Sequence, residues 1–217
     1  MRLNKYLALA TGMSRRAADT AIANGRVKLG SQHAELGQRV QEGQTVTLDD
    51  QPLAIPEHTT TIMLHKPVGF VCSRDGQGSQ TIYNLLPPDY QRLKPVGRLD
   101  KDSSGLLLLT NDGRLAQDLT HPSHQKTKIY EVQLNQEPTK ADLTKLMTTG
   151  VMLDDGPSSF EARVIKGSSL KVTMHEGRNR QIRRTFAALG YKVFKLHRTH
   201  FGSYALGALA SGKTTSV

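Results

Sequence analysis

Apolar side chains recur at two different periods along this chain, and the change of period maps its elements. Leu3, Tyr6, Leu7 and Ala10 follow the i, i+3, i+4, i+7 spacing of an amphipathic helix. Gly12 ends that helix, and Ser14 is placed to cap a second one by accepting from its free N–H groups. The second helix buries Ala18, Ala21 and Ile22 and stops at Asn24-Gly25, a favourable C-terminal pair. Val27 and Leu29 alternate next, as do Val46 and Leu48 after Gly43, so small strands follow the two helices. Residues 50–60 carry two prolines and little periodicity, and read as a linker.

Beyond the linker, period two dominates. Ile62 and Leu64 lead to the turn Lys66-Pro67-Val68-Gly69, and Leu106 to Leu109 read as a buried strand. Tyr130, Val132 and Leu134 would share one strand face; Phe160, Ala162 and Val164 form a second such set, and Leu170, Val172 and Met174 a third. Thr139 caps a predicted helix that buries Leu143, Leu146 and Met147 and ends at Gly150, with Asp142 supporting the cap. A last helix is predicted from about Asn179 to Leu189, burying Ile182, Phe186 and Leu189 and closed by Gly190. Short strands with few helices, rather than regular strand–helix alternation, predict an α+β fold with a largely antiparallel sheet. The expected division is a small domain over residues 1–55 and a larger one over residues 60–217.

Composition narrows the possible partners. A hydrophobic share of 37% in 217 residues suffices for packed cores. The net charge of +10 favours a polyanion, either nucleic acid or an anionic membrane surface. The longest aliphatic run, Leu106 to Leu109, falls far short of the ~20 residues that span a bilayer. The opening Met-Arg-Leu-Asn-Lys has no apolar signal core behind it, and Cys72 has no second cysteine to pair with. The expectation is a soluble cytoplasmic protein without membrane association, monomeric by default. Residues 1–28 hold six basic side chains against Asp19, and residues 163–200 hold ten against Glu176 alone. Two such runs suggest two grips on one polyanion. Lys5, Arg15 and Arg16 can sit off the apolar stripe, and with Arg26 and Lys28 they are the candidate phosphate contacts of the first domain.

Two stretches carry candidate chemistry. Gly97 to Gly113, GRLDKDSSGLLLLTNDG, places Asp100 in a loop feeding a buried strand, where a side chain can be held rigidly at a cleft wall. A loop aspartate also serves simply as a turn former. Met174 to Arg184 runs from a strand through Gly177 into a helix start that carries Arg178, Arg180, Arg183 and Arg184, an anion site by composition. Arg183, three residues before Phe186, flanks the apolar face and needs a counter-charge when partly buried; Asp100 is a candidate. Arg180 and Arg184 turn more outward. The pairs His121/His124 and His197/His200 lack the third and fourth ligands a zinc site needs, so no metal site is predicted. No Gly-x-Ser-x-Gly elbow is present for a serine hydrolase.

GRLDKDSSGLLLLTNDG, KIYEV (Lys128 to Val132) and EGRNRQIRRTFAALG (Glu176 to Gly190) resemble the small-/large-ribosomal-subunit type of bacterial pseudouridine synthases. RLNKYLALATGMSRRAADTAIANGRVKLG is similar to the small RNA-binding domain named after a small-subunit ribosomal protein and often fused in front of that catalytic domain. The resemblance runs from Arg2 to about Leu206. It implies that Asp100 is the essential aspartate, that Tyr130 packs against the target base, and that Arg183 pairs with the aspartate. Leu196 would line the base pocket, with Arg98 and Leu99 beside it, while Arg178, Arg180 and Arg184 would contact RNA. Ser103 in place of a more usual Thr, Thr185 in place of Met, and Lys28-Leu29-Gly30 in place of Val-Asn-Gly depart from the family pattern. None of these touches the three catalytic positions. The implied activity is isomerisation of a uridine to pseudouridine in ribosomal RNA or pre-ribosomal particles, with no metal or other cofactor. Asp100 would act by covalent attack or by taking a sugar proton. The EGRNRQIRR form leans toward the large subunit. Small-subunit RNA and a non-catalytic ribosome-assembly factor are the alternatives.

Overall fold

A computed structural model of the chain describes residues 1–56 and 58–217. The chain divides into two compact units: Met1–Thr61 with Pro87–Lys94 and Thr110–Asp112, and the remainder through Val217.

The first unit opens with α1 (Leu3–Thr11) and α2 (Arg15–Ala23), followed by β1 (Val27–Leu29), β2 (Gln32–His33), β3 (Val46–Leu48) and β4 (Gln51–Leu53). Gly12 ends α1 in the left-handed region, and the Ser14 hydroxyl caps α2 by accepting from the Ala17 amide at 3.0 Å. Leu3, Leu7, Ala18, Ala21, Ile22, Val27 and Val46 form one core. The strands pair antiparallel in the order β2-β1-β3-β4. Part of the stretch read as a linker is therefore strand. Pro52 lies within β4, which tolerates a residue without an N–H because it is an edge strand. Glu57, in the same stretch, lies outside the described residues.

The second unit contains most of β5 (Thr61–Lys66), β6 (Lys94–Val96) and β7 (Ser104–Thr110), then α3 (Gly113–Thr120), β8 (Lys128–Leu134) and α4 (Lys140–Thr148). There follow β9 (Val151–Leu153), β10 (Gly156–Ser158), β11 (Glu161–Lys166), β12 (Ser169–Met174), α5 (Gln181–Ala188), β13 (Val193–Phe201), β14 (Tyr204–Ala205) and β15 (Thr214–Ser216). Its main sheet runs β11-β12-β8-β13-β7-β5-β15. β11, β12, β8 and β13 pair antiparallel, whereas β13 and β7 run parallel. Leu106 to Leu109 are all fully buried, because β7 lies inside the sheet with both faces covered. At Gly105 (φ +110°) a Cβ would stand 2.2 Å from the carbonyl oxygen of Arg198, so only glycine lets β7 approach β13 this closely.

Several predicted core positions are not buried. Val164 is exposed because β11 is an edge strand whose register shifts between Val164 and Lys166. On α4 only Leu146 is fully enclosed; Leu143 is half-buried and Met147 is 43% exposed. Leu189, which caps the end of α5, is half-buried, and the buried stripe of that helix is completed by two polar residues, Gln181 and Thr185. These meet at Ser158, whose hydroxyl accepts from Gln181 Nε2 at 3.0 Å and from Thr185 Oγ1 at 2.8 Å. α5 starts at Gln181 rather than Asn179, since Arg180 adopts left-handed backbone angles. No helix among the described residues is long and apolar enough to cross a membrane.

Candidate active site

The loop between β6 and β7 is held from beneath by a buried lysine. Lys66, at the end of β5, is fully enclosed, and its ammonium donates to the carbonyls of Pro67 (3.0 Å), Asp100 (3.0 Å) and Ser103 (2.7 Å). The Gly69 amide donates to Lys101 O at 2.7 Å, so the 66–69 turn and the 100–103 loop are stitched together. Cys72 adds a thiol that donates to Leu99 O (3.3 Å) and accepts from Leu99 N (3.4 Å). Burial pushes the Lys66 ammonium below its ordinary pKa, partly opposed by Cys72, Asp100 and Asp102. The same cause pushes the Cys72 thiol up.

Above this floor lies a cleft of about 280 Å³ lined by Arg98, Leu99, Asp100 and Ser103, by Met174 and the 177–182 segment, and by Leu196. Arg98, Leu99, Asp100 and Leu196 are thus brought together, and Arg178 and Arg180, expected as RNA contacts, line the same cleft. Tyr130 is buried on β8 and is not among the lining residues. It does share the cleft's sheet face: it pairs with Arg198 and Val172, which are two residues from Leu196 and Met174 respectively.

The arginines distribute differently from the expectation. Arg180, not Arg183, lies nearest Asp100, with its Nη1 3.3 Å from Asp100 Oδ2. Arg183 is partly buried as expected, at 12% side-chain exposure, but its Nε faces Asp102 at 3.2 Å. That contact is an ion pair without hydrogen-bond alignment; the aligned bonds of Arg183 run from Nη2 to Asp102 O (2.8 Å) and from Nη1 to Val193 O (2.8 Å). Burial lowers the Arg183 guanidinium from its usual value, while the hydrogen bonds from Arg180 hold the Asp102 carboxyl below the usual carboxylate range. The predicted pairing of Arg183 with Asp100 is therefore corrected. The turn entering α5 aims Arg183 past Asp100 and swings Arg180 over it. Helix spacing alone could not show that turn.

Residues 60–188 match the RNA pseudouridylate synthase family. The chain belongs to that family. It is 36% identical to a Bacillus subtilis protein named ribosomal large subunit pseudouridine synthase B, over 97% of this chain and 89% of that relative. A Xylella fastidiosa protein of the same name is also 36% identical; it matches all of this chain, which spans about half (48%) of that relative's length. A pseudouridylate synthase known from a crystal structure superposes with a TM-score of 0.73 at 32% identity, covering 100% of this chain and 96% of that one. The mixed α/β architecture with its largely antiparallel sheet agrees with this membership.

Much of the predicted phosphate-facing charge is answered internally. Arg178 donates to Asp155 Oδ1 (2.8 Å) and to the carbonyls of Asp155, Gly156 and Pro157, and Arg184 pairs with Asp154 (2.5 Å) and Asp155 (2.7 Å). Both thereby fasten the β9–β10 hairpin to the start of α5. In the first unit, Arg26 pairs with Asp49 (2.5 Å), Lys28 with Asp50 (2.6 Å), and Arg15 donates to Asn4 Oδ1 (3.1 Å). Lys5 and Arg16 are exposed, and their side chains have no partner among the described residues. Sequence reasoning overlooked three groups. Lys66 looked like an ordinary turn lysine, and its position before Pro67 was the only hint. Arg198 is 98% buried, donates through Nε to Leu106 O (2.9 Å) and lies 4.8 Å above the Phe201 ring. Asp102 was passed over in favour of its neighbour Asp100.

Proposed function

We propose that this synthase converts a specific uridine of ribosomal RNA, in the large subunit, to pseudouridine, with Asp100 at the reacting centre. The observation that carries the reading is the Asp100 carboxylate, set on a braced loop at the wall of a nucleobase-sized cleft with the Arg180 guanidinium 3.3 Å away. The reaction breaks the bond from ribose to a ring nitrogen, turns the detached uracil, and joins a ring carbon to the sugar; that carbon loses its proton and the freed nitrogen gains one. No oxidant or external energy enters this balance. A carboxylate beside the glycosidic bond serves it by attack on the sugar or by removing a sugar proton, and a closed cleft keeps the free base in place. Leu99 and Leu196 supply apolar walls, and Tyr130 on the same sheet face meets the uracil ring. The target leaves its stack first, at a cost of a few kcal/mol, offset by phosphate contacts. The Met1–Thr61 part of the first unit serves as the RNA-binding domain, and the enzyme works as a cytoplasmic monomer on rRNA or pre-ribosomal particles. The large-subunit assignment follows the names of the relatives.

Tritium release from uracil labelled at the ring carbon that joins the sugar tests this directly, on rRNA transcripts and ribonucleoprotein particles. Wild-type release with none from Asp100→Asn, and a modified position mapping to large-subunit RNA, is the expected result. Salt-sensitive RNA binding without release from either protein would instead indicate an assembly factor.

A further inference from the structure

Asp102, beside the cleft, is paired with two arginines, Arg180 and Arg183. Its two carboxylate oxygens accept from both Nη atoms of Arg180, at 3.0 and 2.9 Å, in the bidentate geometry that fixes a guanidinium plane. Arg183 reaches the same residue through its Nε at 3.2 Å and donates to its carbonyl at 2.8 Å. With its plane fixed this way, Arg180 brings Nη1 to 3.3 Å from Asp100 Oδ2. The backbone of Arg180 makes the arrangement stand out. It sits at φ +46°, ψ +31°, a conformation disfavoured for any residue bearing a Cβ, and its side chain does not cap α5. Glycine or asparagine would suit that position better as local structure, so the work of an arginine there lies in its guanidinium.

We infer that Asp102 is a positioning residue: it clamps Arg180 against the Asp100 carboxylate and draws Arg183 to its own side. The inference rests on the proposed function, in that Asp100 is taken as the reacting carboxylate. Without the carboxylate at position 102, the Arg180 fork is released toward solvent and Asp100 loses its fixed counter-charge. Phosphate contacts elsewhere still set affinity for the RNA. The loss therefore falls on kcat and leaves KM nearly unchanged.

The test is a double-mutant cycle of Asp102→Asn and Arg180→Gly, read by tritium release under steady-state conditions. Glycine at position 180 accepts the left-handed backbone, which guards against a folding failure. Each single variant is expected to lose about tenfold to a hundredfold in kcat, the range a misplaced reacting group produces, with KM changed less than twofold. The double variant should be no slower than the slower single, because both changes remove one device. Losses that multiply, a shift confined to KM, or full activity in Asp102→Asn would overturn the inference. A second measurement stands apart from catalysis: ¹⁵N-detected guanidinium spectra of Arg180, whose restricted rotation should disappear in Asp102→Asn. Persistence of that restriction overturns the positioning role even if the wild type releases no tritium, an outcome that would count against the proposed function alone.

Discussion

A lysine with no access to water is an uncommon residue, and Lys66 is tolerated because three carbonyls receive its ammonium. Two of those carbonyls belong to the Asp100–Ser103 loop, so the residue acts on the cleft from below. Lys66→Met keeps the bulk but leaves the carbonyls unmet, and about 1–3 kcal/mol of stability should be lost, measured by urea unfolding at neutral pH. The pH dependence has a definite sign. Burial lowers the folded pKa, so between that value and about 10.4 the unfolded chain binds more protons than the folded one. The Lys66 contribution to stability therefore rises with pH across that window, and the Met variant should lack that part of the slope. None of this was legible locally, since a lysine before a Pro-Val-Gly turn reads as solvated.

Elements set by short-range chemistry were largely readable. Ser14 and Thr139 cap their helices as predicted, each accepting from an amide three residues on, because a cap involves only its own first turn. The four leucines of β7 were readable as a buried strand, but its partners were not. The parallel contact of β7 with β13 forces Gly105 to φ +110°, with the Arg198 backbone where a Cβ would lie. Gly105→Ala should therefore cost about 3 kcal/mol or more, seen as a lowered denaturation midpoint or loss of soluble protein. Val164 and Met147 were misplaced for a related reason. Periodicity assigns a face, and only the neighbouring elements decide whether that face is covered.

Over the whole molecule, the net charge of +10 overstates what is free to meet RNA. Arg26, Lys28, Arg178 and Arg184 are engaged by Asp49, Asp50, Asp155 and Asp154, whereas the side chains of Lys5 and Arg16 have no partner among the described residues. RNA affinity measured by fluorescence anisotropy across a salt series should separate the two groups. The double change Lys5→Ala, Arg16→Ala is expected to flatten the slope of log K against log salt by up to about 1.4, at about 0.7 per single-strand phosphate contact. Arg184→Ala should leave that slope unchanged and lower the melting temperature instead.

By itself the sequence determined the α+β class, the caps and alternating strands, the basic character and the Asp100 loop, all of which depend on neighbours within a few positions or on contiguous motifs. Only the tertiary structure decided that Arg180 rather than Arg183 meets Asp100, that Lys66 braces the loop, and which aspartates engage Arg26, Lys28, Arg178 and Arg184. Arg180 and Asp102 are 78 positions apart, and Lys66 and Asp100 are 34 apart. Such pairs meet because the sheet places β5 beside β7 and β7 beside β13, and because one left-handed residue turns the chain into α5. Strand order and a single backbone angle are properties of the folded chain, and no local pattern of apolar and polar residues encodes them.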